Sequence, residues 1–171
     1  MKKLLVVVDM QNDFITGSLG TPEAQVIVPA VVQKVKDAIA AGDEVVFTLD
    51  THGEDYLATQ EGKRLPVVHC IKGTTGWQLE SRLEGFALKR FEKPTFGSME
   101  MARFAAEESY DEVELVGLCT DICVISNAMI VKAALPQARI VVDSHCTAGV
   151  SPQSHERSLE AMESCQIDVI R

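Results

Sequence analysis

Short apolar runs, each closed by a polar residue, recur along the chain and alternate with longer stretches of helical spacing. Lys2–Asp9 carries a continuous Leu/Val run, the pattern of a strand buried on both faces. Glu44–Asp50 and Val113–Leu118 read the same way, Arg139–Asp143 and Ile167–Ile170 are shorter versions, and Phe86–Glu92 alternates in part. Between these runs lie the helices. Thr21-Pro22 offers an N-cap followed by a first-turn proline, and Gly42 offers a stop, so a helix is predicted to run as far as Ala41. Ser98 caps a helix that continues to Ser109, with Met101, Phe104 and Ala105 on one face. Asp121–Ala134 is a helix closed by Pro136, and Ser151-Pro152 opens a last helix that runs to Ser164. Residues 51–77 show little periodicity and many polar and glycine positions. A loop of that length in a compact domain is usually functional.

Alternating strands and helices predict an α/β fold: a mainly parallel six-stranded sheet between two helical layers, with Rossmann-like topology. With 171 residues the chain has the length of one domain, spanning 1–171. In such sheets ligands bind beyond the carboxyl ends of the strands. Asp9, Asp50, Lys93, Cys119 and Asp143 each follow a predicted strand, so the topology is expected to gather them at one edge.

Composition narrows the function classes. Apolar residues make up 46% and charged residues 24%, ordinary values for a soluble domain. A net charge of −9 argues against nucleic acid or an anionic membrane as partner. No apolar run reaches the ~18 residues needed to span a bilayer. The opening Met1-Lys-Lys-Leu-Leu-Val-Val-Val run ends at Asp9 with no small-residue cleavage site after it, and reads as a first strand rather than a signal peptide. The five cysteines, an odd count without a leader, suggest reduced thiols in a cytoplasmic protein.

Cys123, in Gly117-Leu-Cys-Thr-Asp-Ile-Cys-Val124, is the candidate nucleophile. It follows a buried strand and sits where a helix begins, and free backbone N–H groups at a helix start favour thiolate over thiol. Asp9 either serves as its general base or bonds the backbone of the following turn. Lys93, kept from helical geometry by Pro94, either lowers the pKa of the thiol or is a solvated surface lysine. Asp50, His52 and His69 form a metal set or are ordinary loop polars. As a set they leave open positions suited to catalytic Zn²⁺, Mn²⁺ or Fe²⁺, with Glu61, Glu54 or Asp55 as a fourth ligand. Trp77, the only tryptophan, would line a pocket with Phe14 and Leu118, or pack in the core or against another subunit. His155 is expected to cap its helix or face solvent. Cys70, Cys146 and Cys165 are expected to be buried and inert. Cys119, close to Cys123, leaves a thiol redox or metal-binding protein as the non-hydrolytic alternative.

In order along the chain, Asp9-Met-Gln-Asn-Asp-Phe14, Asp50-Thr-His52, Leu65-Pro-Val-Val-His69-Cys-Ile-Lys-Gly-Thr74, Lys93 and the Cys123 motif resemble the isochorismatase-like cysteine hydrolases, and among them the nicotinamidase-related amidases. The resemblance implies a catalytic triad of Asp9, Lys93 and Cys123. It implies a divalent metal, zinc first, on Asp50, His52 and His69, with Glu61 matched only by approximate register. It also implies a non-proline cis peptide at Leu118–Cys119, with the N–H groups of Cys119 and Cys123 forming an oxyanion hole. The implied activity is hydrolysis of the C–N bond in a small non-peptide amide through a thioester. Alternatives are a carbamoyl or ureido compound as substrate, or isochorismate-type vinyl-ether hydrolysis. Relatives of this kind are often homo-oligomers. Two departures concern the substrate: Thr51 and Gly53 stand where typical nicotinamidases carry an aromatic and a proline, and the chain is shorter than many such relatives.

Overall fold

The computed structural model describes residues 1–87 and 89–171. Its elements are β1 (Lys3–Val8), α1 (Asn12–Ile15), α2 (Pro22–Ala41), β2 (Glu44–Asp50), α3 (Gln60–Arg64), α4 (Ser81–Glu84), β3 (Arg90–Lys93), α5 (Met99–Glu108), β4 (Glu112–Leu118), α6 (Ile125–Ala134), β5 (Arg139–Ala148), α7 (Pro152–Ser164) and β6 (Asp168–Ile170). The six strands form one sheet in the order β3-β2-β1-β4-β5-β6, with every pairing parallel.

β1 lies in the middle, which accounts for its unbroken apolar run. Leu4, Val6 and Val8 point into one core with Leu115, Met101, Val124, Val131 and Leu159, while Leu5 and Val7 point into the other with Val28, Val31, Val35 and Phe47. Burying each such side chain contributes about 1.5–3 kcal/mol, so a polar residue on either face of β1 would be costly. Three of the helices that cover the sheet begin as the sequence predicts. The hydroxyls of Thr21, Ser98 and Ser151 accept from the N–H groups of Ala24, Met101 and Ser154. α2 ends at Gly42, in the left-handed conformation expected of a C-cap glycine.

Four elements differ from expectation. The strand predicted at 86–92 is only Arg90–Lys93, an edge strand, and Leu88 within the predicted span lies outside the described residues. The helix predicted from Asp121 starts as a wide π turn over Thr120–Val124 and becomes α-helical only at Ile125. β5 does not stop at Asp143 but continues, past a register shift against β4, to Ala148. Asp143 is therefore inside a strand, held by Lys34 at 2.8 Å, and does not join the other strand-end residues. The 51–77 segment contains a 3₁₀ turn at Tyr56–Ala58 and α3.

The winding of the sheet reverses between β1 and β4, and a crevice opens beyond their carboxyl ends. Asp9 and Cys119 follow these two strands directly. β2 and β3 finish alongside with Asp50 and Lys93 in register.

Candidate active site

Asp9 takes a left-handed backbone at the end of β1 (φ 47°), a region Asp tolerates better than most residues. Its N–H bonds the Thr48 carbonyl at 3.1 Å, and the Thr48 hydroxyl donates to Asp9 Oδ1 at 2.6 Å. Asp9 Oδ2 lies 2.6 Å from Lys93 Nζ, an ion pair without hydrogen-bond direction, and it accepts no hydrogen bond from the described residues. Lys93 Nζ donates instead to the Thr95 carbonyl at 3.0 Å, to Asp50 Oδ1 at 3.4 Å and to Cys123 Sγ at 3.4 Å. Asp9, Lys93 and Cys123 are 0%, 1% and 5% exposed.

Burial decides the resting charges. It raises the Asp9 carboxyl above its usual range; Lys93 opposes this and Asp50 adds to it. It pushes the Cys123 thiol up as well, with the Asp9 charge adding and Lys93 opposing. Burial alone would lower Lys93, but Asp9, Cys123 and Asp50 outweigh it and keep the ammonium charged. At rest Lys93 is therefore an ammonium and Cys123 a neutral thiol, with the Asp9 carboxyl 2.6 Å from the ammonium. The helix-start expectation of a thiolate therefore fails for a physical reason. Cys123 sits inside a buried turn next to a carboxylate, and desolvation exceeds the pull of the backbone N–H groups.

The turn that carries Cys123 is shaped by its backbone. Gly117 has φ 110°, and a Cβ there would be driven into the Val8 carbonyl oxygen. The Leu118–Cys119 peptide is cis. The Cys119 carbonyl accepts from Ile122 and Val124 at 3.1 and 3.0 Å, while the Cys119 N–H donates to no acceptor among the described residues. Asn127 locks the turn from behind: its Nδ2 donates to the Cys123 and Phe96 carbonyls at 2.8 and 3.1 Å, and its Oδ1 accepts from Ser98 at 2.9 Å.

Asp50, His52, Glu61 and His69 place one donor atom each within 4.8 Å of one another. Asp50 Oδ2 is 2.9 Å from His52 Nε2 and 3.3 Å from His69 Nε2, and Glu61 Oε1 is 3.7 and 3.5 Å from the same two nitrogens. Tetrahedral zinc with ligands at ~2.0–2.1 Å keeps its donor atoms roughly 3.3 Å apart, so the set fits such an ion. His69 Nδ1 bonds the Val67 carbonyl at 2.7 Å, which assigns a proton to Nδ1 and turns Nε2 toward the cluster. In the protein alone, burial would lower the His69 pKa, but the Asp50 and Glu61 carboxylates and the Val67 carbonyl raise it to about 10. Asp50 is held below the usual carboxylate range: burial is outweighed by His52, His69 and Lys93. The Tyr56 ring packs 4.8 Å from His52 and 4.9 Å from His69, between centroids.

A cavity of about 400 Å³ opens above these groups. Cys119, Cys123, Asp50, Glu61 and His69 line its floor, and Phe14, Leu19, Leu65, Phe96, Ile122 and Val150 its walls. Asp9, Lys93 and His52 lie just beneath. Of the three predicted pocket residues only Phe14 lines it. Leu118 points into the α2-side core. The Trp77 indole donates to Thr51 Oγ1 at 2.9 Å and packs against the α2-side core instead. His155 is not a solvent-facing residue either, since its Nδ1 is 2.7 Å from Thr120 Oγ1. Cys165 is exposed rather than buried.

Sequence reasoning missed Gln11, Thr48 and Asn127, buried polar residues that bond the backbone of Asp50, the side chain of Asp9 and the backbone of Cys123 respectively. Gln11 and Thr48 stand within or beside strand ends, where a polar residue in an apolar setting was the available signal.

The isochorismatase domain family matches residues 3–171. A Bacillus subtilis protein described as an uncharacterized isochorismatase family protein, PncA, is 33% identical over 93% of this chain and 93% of its own length. The crystal structure of nicotinamidase PncA from Bacillus subtilis has a TM-score of 0.87 at 30% identity, covering 100% of both chains. That of the pyrazinamidase of Pyrococcus horikoshii in complex with zinc has a TM-score of 0.87 at 26% identity, covering 100% of this chain and 99% of its own. A match over the whole length in sequence, joined to the same fold, establishes that the chain belongs to the isochorismatase family.

Proposed function

We propose that the protein is a cysteine amidohydrolase that cleaves the C–N bond of a small, uncharged carboxamide. The observation that carries this reading is the meeting of Asp9, Lys93 and the Cys123 sulfur under the floor of an apolar cavity. Asp9 Oδ2, which has a free lone pair, takes the thiol proton. Burial makes Asp9 a stronger base than an exposed carboxylate and makes loss of the thiol proton to water uphill, which favours transfer to Asp9. Lys93 stays charged and holds the new thiolate. The sulfur attacks the amide carbon, and the carbonyl oxygen takes up the negative charge against the N–H groups of Cys119 and Cys123. One such donor is worth about 10²–10³ in rate. Asp9 returns its proton to the leaving nitrogen, the C–N bond breaks, and ammonia departs from an acyl thioester. Water enters, gives a proton to Asp9 and attacks the same carbon. The C–S bond breaks, and the proton on Asp9 restores the Cys123 thiol.

Asp50, His52 and His69, with Glu61, would hold a divalent metal, zinc being the best fit to two imidazoles and two carboxylates. When bound it supplies a Lewis acid for a ring nitrogen or a water. The residues themselves orient the substrate's far end while Cys123 faces its carbonyl.

The cavity also argues on substrate charge. Its described lining holds Asp50 and Glu61 but no lysine or arginine. Away from the metal set and Lys93, no cationic side chain lines the cavity to receive the carboxylate of an N-carbamoyl compound or of isochorismate, so a neutral ring carboxamide of the nicotinamide or pyrazinamide kind is favoured. The test is ammonia release by zinc-loaded protein from nicotinamide, pyrazinamide and N-carbamoyl amino acids. Turnover of the neutral amides alone is expected. Release only from the carbamoyl acids would overturn the substrate class, and release from none would overturn the amidase reading.

A further inference from the structure

We infer that Gln11 is a positioning residue that sets the main chain at Asp50, and through it the metal set; the inference rests on the reading of Asp50 as a metal ligand. Gln11 is fully buried. Its side chain makes three hydrogen bonds: Oε1 accepts from the Asp50 N–H at 2.8 Å, and Nε2 donates to the Asp50 carbonyl and to the Trp77 carbonyl, both at 2.8 Å. These partners assign the amide orientation, since one N–H requires an acceptor and two carbonyls require a donor.

The reason for this contact lies in the sheet. β1 pairs with β2 only as far as Val8 opposite Thr48, and the Asp9 N–H makes the last bond, to Thr48. Past that point β1 has turned away, and Asp50 has lost its neighbour on that side. The Gln11 amide takes the neighbour's place, offering one acceptor and one donor to Asp50 as a strand residue would. Asp50 divides its carboxylate between two tasks, Oδ2 toward His52 and His69 and Oδ1 toward Lys93. A main chain free to rock at this position would misplace both. The same amide reaches Trp77 in the segment that follows the loop carrying His69, so it also ties that loop to the strand end.

Gln11→Met keeps the length and apolar volume and removes all three bonds. Gln11→Glu keeps the shape but presents an acceptor to two carbonyls. The readout is zinc affinity of the full chain, by competition with a chromophoric chelator, alongside thermal unfolding of the metal-free protein. Zinc affinity is expected to fall about 10–100-fold in both, as for partners behind a metal ligand, with the Glu variant the weaker binder. Steady-state kinetics at saturating zinc are expected to show KM raised more than kcat is lowered. A variant that melts lower yet binds zinc as tightly as the parent would make Gln11 a stabilising residue only and overturn the inference. If neither folds, Gln11→Asn, which keeps an amide but withdraws it by one methylene, is read the same way: unchanged zinc affinity overturns, a fall supports. A parent protein that binds no zinc would overturn the metal reading itself, a different outcome from a parent that binds and a variant that binds equally.

Discussion

Lys93→Met isolates the electrostatics of the site. The substitution removes an ammonium 2.6 Å from Asp9 and leaves a carboxylate with 0% exposure facing Asp50. Breaking one partner out of a buried pair typically costs about 3–5 kcal/mol when the other charge is stranded. In a domain of this size 1 kcal/mol moves Tm by roughly 2–4 °C, so a fall of about 6–20 °C is expected where Asp9 stays ionised. The pH dependence gives the sharper test. Lys93 is the main influence lowering the Asp9 pKa, against burial and Asp50, so its removal raises that pKa further. A carboxyl with a raised folded pKa favours the fold fully below its unfolded pKa of about 3.9, and that contribution disappears as pH rises through the folded value. The deficit of Lys93→Met against the parent should therefore be small near pH 5 and grow toward pH 8. Urea unfolding followed by circular dichroism in metal-free buffer, from pH 5 to 8, measures it. The double variant Asp9→Asn with Lys93→Met strands no charge and should recover most of the loss at pH 8. A deficit that does not change with pH, or a double variant no more stable than Lys93→Met, would refute the reasoning.

Three further outcomes are expected. Thr48→Val deletes the 2.6 Å hydrogen bond that orients Asp9 Oδ1; bonds to a charged group contribute about 1.5–3 kcal/mol, so kcat/KM should drop roughly ten- to a hundredfold, and steady-state kinetics with unchanged values would contradict the role. Zinc uptake should release a proton, because His69, raised to about 10 in the metal-free protein, is protonated at neutral pH and must lose that proton to bind. Affinity should accordingly rise with pH up to that value, and calorimetry in buffers of different ionisation enthalpy should return about one proton; none released would contradict it. Gly117→Ala demands φ 110° of a residue with a Cβ and drives that Cβ into the Val8 carbonyl. A loss of at least about 2 kcal/mol is expected, and a melting temperature equal to the parent's would count against the close approach of β1 and β4.

The fold was legible because its signals are local. β1, β2 and β4 are buried on both faces and so carry runs of Val and Leu, and three helices open on a hydroxyl cap. What depends on tertiary contact was not. β3 is a short edge strand with an exposed Arg90 and Glu92, too weakly patterned to place its ends. The π turn at Thr120–Val124 is set by the Cys119 carbonyl taking two N–H groups, which no spacing announces. At the site, Asp9, Asp50, Lys93 and Cys123 could be found from strand ends and motif order. The charge state of Cys123 could not, since it depends on how deeply the turn is buried. Trp77 was misplaced because a loop's path decides which way an indole faces. Gln11 lay within a quoted motif, but its role requires knowing that β1 stops short of Asp50.

The central claim is that the Cys123 sulfur performs the attack. Ammonia release from nicotinamide or pyrazinamide by zinc-loaded Cys123→Ala, measured beside the parent at matched zinc content, tests it most directly. Removal of a nucleophile from an acting unit costs several orders of magnitude, so turnover is expected to fall by about 10³-fold or more while zinc affinity is kept. A Cys123→Ala protein that releases ammonia at the parent's rate would contradict the account.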